Sequence, residues 1–139
     1  MTARAWLRTV LVLLAVVQGL AGVVQLVLPK VFYDDFPGVS MLPPYSEHLM
    51  RDVGALTLAY VLVLVVAAVT MDRLLVRTAA AANLVFTVPH FLFHALHLEH
   101  FSIGGAVGQT VLLGFAVVFP LVVLAFSNRL PGAVRGQAL

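Results

Sequence analysis

Four stretches without a single Asp, Glu, Lys or Arg dominate this chain: residues 9–28, 53–71, 78–98 and 103–126. Each is close to the roughly 20 helical residues that cross a hydrocarbon core. Inside lipid the backbone has no water to bond, so a spanning segment satisfies its own N–H and C=O groups by folding as a helix. The pattern predicts an all-α integral membrane protein, an up-and-down four-helix bundle, with helices over 9–28, 50–71, 78–98 and 103–126. One domain then takes in all of residues 1–139. Residues 29–47 read as a long outer loop, in which Pro43 and Pro44 stop any helix and Ser46 stands ready to cap the next one. The connections around 72–77 and 99–102 read as tight turns between antiparallel neighbours.

Composition carries the same message. Of 139 residues, 62% are hydrophobic and only 10% charged, against about 25% charged in a typical soluble domain. Mean hydropathy is +1.07. These values exclude intrinsic disorder, a nucleic-acid-binding surface and a conventional soluble enzyme core, and they make the lipid bilayer the first partner. Cysteine is absent, which removes disulfides, thiolate metal sites, iron–sulfur clusters and a Cys nucleophile.

Orientation follows from the basic residues. Arg4 and Arg8 precede the first span, Arg73 and Arg77 lie between the second and third, and Arg129 and Arg135 follow the fourth. Lys30 and Arg51 fall on the other side. The positive-inside rule then puts both termini in the cytoplasm of a multi-pass protein of the plasma (cell inner) membrane. Gly19-Leu20-Ala21 loosely resembles a signal-peptidase site, but the apolar run continues to Leu28, so an uncleaved first helix is expected. Trp6 reads as an interfacial anchor, and the Phe32, Tyr33, Phe36 and Tyr45 cluster as an aromatic belt at headgroup level.

The scarce polar residues inside the spans mark the candidate site. At about 100° per residue, Asn83, Thr87, His90, His94 and His97 share one face of the third span. Such a seam faces the bundle interior, not lipid. In the second span His48 sits above Asp52, and Glu47 above Arg51, each at i, i+4; Asp52 is then placed to meet the histidines. Gln18 and Gln25 line one face of the first span beside Ala21 and Gly22, small residues that permit close helix approach, and Gly104 and Gly108 repeat that spacing in the fourth.

Neutral imidazoles at i, i+4 and i+7 with a carboxylate from a second helix suit a transition metal. The metal-ligand candidates are His48, Asp52, His90, His94 and His97, and a haem held between His48 and a third-span histidine is a narrower version. Gln18, Gln25, Glu47, Arg51, Asn83 and Thr87 support the seam. The zinc-protease signature is missing, because His90-Phe91-Leu92-Phe93-His94 has no Glu after its first His. Membrane desaturases and hydroxylases need several histidine boxes on the cytoplasmic side, and one box on the outer side does not meet that requirement. The residues leave three functions open: an accessory or interaction subunit with a structural polar network, a metal- or haem-binding redox protein, and a proton-coupled small-molecule carrier. No catalytic residue is identified.

Glu47-His48-x-x-Arg51-Asp52-x-Gly54-Ala55-Leu56 and Pro89-His90-x-x-x-His94-x-x-His97 resemble stretches of a group of four-pass membrane proteins of actinobacteria. The whole layout, with a first span ending at a proline, an aromatic loop and an Arg-x-Gly-type entry to the second span, is similar to that of DoxX-like small membrane proteins. The resemblance covers nearly the full length in architecture and implies an accessory role beside membrane redox partners. It carries over no catalytic residue, and the extra histidines depart from its pattern.

Overall fold

The computed structural model describes residues 2–41 and 44–130; Pro43 and Arg135, used above, lie outside the described residues. Among these, all regular structure is helical: α1 (Ala3–Val27), α2 (Pro29–Asp35), α3 (Glu47–Thr70), α4 (Arg73–Leu96) and α5 (Ile103–Phe126), with single 3₁₀ turns at Val39–Met41 and Ser127–Arg129. The four long helices are each long and apolar enough to cross a membrane. A 24-residue helix such as α3 is about 36 Å long, enough for a hydrocarbon core of about 30 Å with a turn to spare.

The boundaries have local causes. Thr2, Ser46, Asp72 and Ser102 cap α1, α3, α4 and α5, each accepting a hydrogen bond from a backbone N–H three residues on, which satisfies one of the donors that a helix start leaves free. The second turn is tighter than the sequence suggests. Met71, buried and left-handed at φ 52°, ends α3, and Asp72 at once caps α4. Arg73 and Arg77 therefore belong to the first turns of α4 and not to a loop. The outer loop also differs from expectation, because its first seven residues are helical. Pro29 forces Leu28 out of the α region, to φ −125° and ψ 56°, and then serves as the first residue of α2, a position where its missing N–H costs nothing. One proline thus ends one helix and begins another. Lys30 and Asp34 pair along α2 at i, i+4, and Pro29 and Phe32 supply its buried side.

Packing is uneven. α1 lies most extensively against α3 and α4 against α5, with a smaller α3–α4 contact and only a marginal one between α1 and α5. The hydrophobic core gathers at one end: Leu7, Leu11 and Leu14 of α1 meet Leu64, Ala67 and Ala68 of α3, Val76 and Ala80 of α4, and Val123 of α5. We call this the proximal end; it holds the start of α1, the α3–α4 turn and the end of α5. The distal end carries α2 and the α4–α5 turn.

Arginines tie the helix ends together. At the proximal end Arg8 Nε donates to the Ala68 carbonyl at 3.0 Å, while Arg73 and Arg77 both donate to Asn128 Oδ1, at 3.0 Å each, and Arg77 also to Ser127 Oγ. Distally, Arg51 donates to the Leu26 carbonyl and pairs with Glu47. The Leu26 and Ala68 carbonyls each lie in the last turn of their helix, where no intrahelical N–H reaches them. A cation there also meets the negative end of the helix dipole. In the distal half, α1 and α3 cross at van der Waals distance: a Cβ built on Gly54 would lie 2.7 Å from the Leu26 nitrogen and 2.9 Å from the Gly22 oxygen. Only glycine permits that approach.

Candidate functional site

Polar groups enter the apolar bundle at two levels. The first is near its middle. Asn83 of α4, 2% exposed, donates from Nδ2 to Gln18 Oε1 of α1 at 3.2 Å. Tyr60 of α3 donates to the Ala79 carbonyl of α4 at 3.0 Å. Thr87 returns its hydroxyl to the Asn83 carbonyl one turn back. Three helices are thereby joined through polar side chains in a region without water, where an unpaired group costs several kcal/mol or more. The Asn83 Oδ1 is buried and has no partner among the described residues.

The second level is distal. His90 and His94 stand one turn apart on α4 with ring centroids 4.5 Å from each other, crossed at 70°. Phe86 stacks on His90 at 5.1 Å, and Phe93 stacks on His97 at 4.3 Å. His97 Nδ1 lies 2.7 Å from the Phe93 carbonyl. This residue caps the C-terminus of α4 instead of continuing it, so its ring is held by its own helix end. The Nδ1 of His94 is buried without a partner among the described residues, and so is Nε2 of Gln109 on α5. The α4–α5 hairpin is antiparallel, with Phe91 beside Gly114 and Arg77 beside Ser127, which puts His94 and Gln109 at one level. Above them the turn after α2 closes down. Gly38 adopts φ +87°, and a Cβ there would come within 2.8 Å of Gln109 Oε1 and 2.9 Å of the Phe101 ring. A left-handed backbone and a close approach both require glycine at this position.

His48 and Asp52 pair on α3 at 3.2 Å, with side chains 90% and 62% exposed. Asp52 therefore turns to a histidine of its own helix, while Glu47 holds Arg51. Among the described residues no group of three or more His, Asp or Glu side chains converges on a point that would hold a metal ion. Instead, the single histidine of α3, His48, pairs with Asp52, and His90, His94 and His97 form a string along the end of α4. Gln25 lies at the α1–α3 crossing, its Cβ 2.9 Å from the position a Gly54 Cβ would take. Chemically, the distal level offers two adjacent imidazoles and one amide donor beside the Phe86 and Phe93 rings.

Tyr60, Gln109, Ser127 and Asn128 escape the sequence reading. Tyr60 stands as an isolated hydrogen-bonding group in the apolar run AYVLVL, and Gln109 stands with Thr110 in GQTVLL. A polar side chain within an apolar run is the available signal. Ser127 and Asn128 follow the last span and show nothing in sequence to pair them with Arg73 and Arg77. Compared with protein-family models, curated proteins and solved structures, the chain matches none.

Proposed function

We propose that this protein is an accessory or interaction subunit of a plasma-membrane complex, with its proximal end in the cytoplasm and a transmembrane helix of a partner lying on α5. One observation carries the reading. Gly104 and Gly108 stand one turn apart on α5, and a Cβ on either would meet nothing within 4 Å, whereas the comparable glycines Gly22 and Gly54 are in tight helix contact. Small residues at this spacing ordinarily let two helices approach closely within lipid. The bulky residues around them are among the most exposed in the chain, with Ile103 88% and Val107 59% exposed. α5 also barely touches α1, so its flank is open to a membrane-spanning helix of a partner.

The proximal end supports the orientation, since Arg4, Arg8, Arg73, Arg77 and Arg129 gather there against one acid, Asp72, among the described residues. The accessory role that the DoxX-like layout implies agrees with this reading. Photo-cross-linking in native membranes tests it. A photoreactive residue at position 104 or 108 is expected to yield a discrete adduct, while one at Val85, 77% exposed on α4, yields none. Absence of an adduct from α5, or equal adducts from all three positions, contradicts the proposal.

A further inference from the structure

We propose that the proximal groove between α1 and α3 seats one anionic phospholipid, with its phosphate on Arg8 and an acyl chain along the groove. Val12, Ala15 and Val16 of α1 face Val65, Ala68 and Val69 of α3 across a cavity of about 540 Å³ with Arg8 at one end. That volume lies within the roughly 300–1,000 Å³ of small-molecule sites. The two alanines are buried and the four valines, together with Arg8, are accessible, so the groove has a narrow apolar floor and branched apolar walls. From Arg8 to Val16 it runs eight residues, about 12 Å along the helix axis. A cation at the interface followed by an apolar trough toward the bilayer centre is complementary to one anionic head and the start of one chain.

Arg8 is placed to bind that head. Its Nε is already held by the Ala68 carbonyl at 3.0 Å, which fixes the guanidinium across both helices. Arg8 appears in no ion pair among the described residues. Asp72, the one acid at this end, is engaged with the Leu75 N–H. A planar guanidinium with its remaining N–H groups available matches phosphate oxygens geometrically. Arg4, one turn earlier on the same helix, adds a second positive charge near the same headgroup layer. Basic pockets between transmembrane helices on the cytoplasmic side hold anionic lipid heads in this way.

Native mass spectrometry of the full chain in detergent tests the proposal, with phosphatidylglycerol, phosphatidylcholine and glycerol phosphate as separate probes. One phosphatidylglycerol adduct is expected to form at least about fivefold more tightly than the phosphatidylcholine adduct, the effect of roughly one basic residue near a charged head. Arg8→Gln should remove that preference and Arg129→Gln, off the groove, should keep it. Val16→Trp fills an accessible wall position with Arg8 intact and should abolish the adduct, so the test does not depend on Arg8→Gln folding. Equal binding of the two lipids overturns the proposal. Equal loss in Arg8→Gln and Arg129→Gln, an adduct that survives Val16→Trp, or glycerol phosphate binding as tightly as the lipid does so too.

Discussion

Replacing Gly54 by alanine adds one methyl group at the point where α1 and α3 touch. The new Cβ would meet the Leu26 nitrogen at 2.7 Å, Gln25 Cβ at 2.9 Å and the Gly22 oxygen at 2.9 Å, where ordinary contact begins at 3.4 Å. Two of the three atoms are backbone and cannot rotate away, so the helices must separate by about 0.7 Å, the difference between the first and last of those distances. A gap of ~0.5–1 Å forfeits a quarter to a half of each dispersion contact across it, and overpacking of this kind costs about 1–3 kcal/mol. Alanine is also a better helix former than glycine by roughly 0.5–1 kcal/mol, which offsets part of the loss. Gly108→Ala isolates the steric part, because it makes the same chemical change on a helix where the added methyl meets nothing. The expected result is that Gly54→Ala is less stable than Gly108→Ala by about 1–3 kcal/mol. Gly22→Ala should fall between them, its closest contacts lying at 3.2 Å. Equilibrium unfolding of the monomer in mixed micelles, followed by circular dichroism, measures all three. If Gly54→Ala and Gly108→Ala prove equally stable, the α1–α3 crossing does not organise the bundle and the reasoning fails.

Three further outcomes follow from the polar contacts. A double-mutant cycle of Gln18→Leu and Asn83→Leu should give a coupling of about 0.6–1.7 kcal/mol, the range measured for hydrogen bonds between membrane helices; additive effects would show that the 3.2 Å contact contributes nothing. Arg51→Leu removes both the tie to the Leu26 carbonyl and the Glu47 pair, and should cost about 1–3 kcal/mol. Nearly all of it comes from the lost charge-assisted bond to the helix-end carbonyl, because the Glu47 side chain is 58% exposed and water replaces its partner; hydrogen exchange should show the loss as faster opening at the α1–α2 junction. On α2, the hydrogen bond to Asp34 holds the Lys30 ammonium above its usual 10.5. Any stabilisation from this pair is complete below that value and disappears as pH rises through the raised pKa. Side-chain nitrogen NMR should find Lys30 titrating late, and Asp34→Asn should bring it back, whereas an unchanged titration would contradict the pairing.

Hydropathy made the four spans legible because the bilayer imposes one length and one secondary structure on each of them. Capping chemistry was legible too, at Ser46, as were the i, i+4 pairs His48–Asp52 and Glu47–Arg51, since one helix turn determines both partners. Legibility stopped where a second helix was needed. Periodicity showed that Asn83, Thr87, His90 and His94 share a face, but not that Asn83 meets Gln18 while Asp52 stays with His48. Gly22 and Gly104 carry the same small-residue signal, yet only Gly22 lies against another helix, because crossing points depend on the packing of the whole bundle. α2 was hidden for a different reason. Pro29 reads equally well as a helix stop and a helix start, and it is both. Arg8, Arg73 and Arg77 likewise looked like markers of sidedness alone, although they hold helix ends together, and the Glu47 pairing of Arg51 did not reveal its tie to the Leu26 carbonyl.

Topology is the most direct test of the account, and the absence of cysteine makes it clean, because each introduced thiol is the only one present. Single cysteines at Thr2 and Asn128 mark the proximal end, and others at Ser40 and Ser102 the distal end. In intact cells a membrane-impermeant maleimide should label positions 40 and 102 at once, and positions 2 and 128 only after permeabilisation. Labelling of positions 2 and 128 on opposite sides would contradict the four-span bundle, and labelling of both without permeabilisation would invert its orientation.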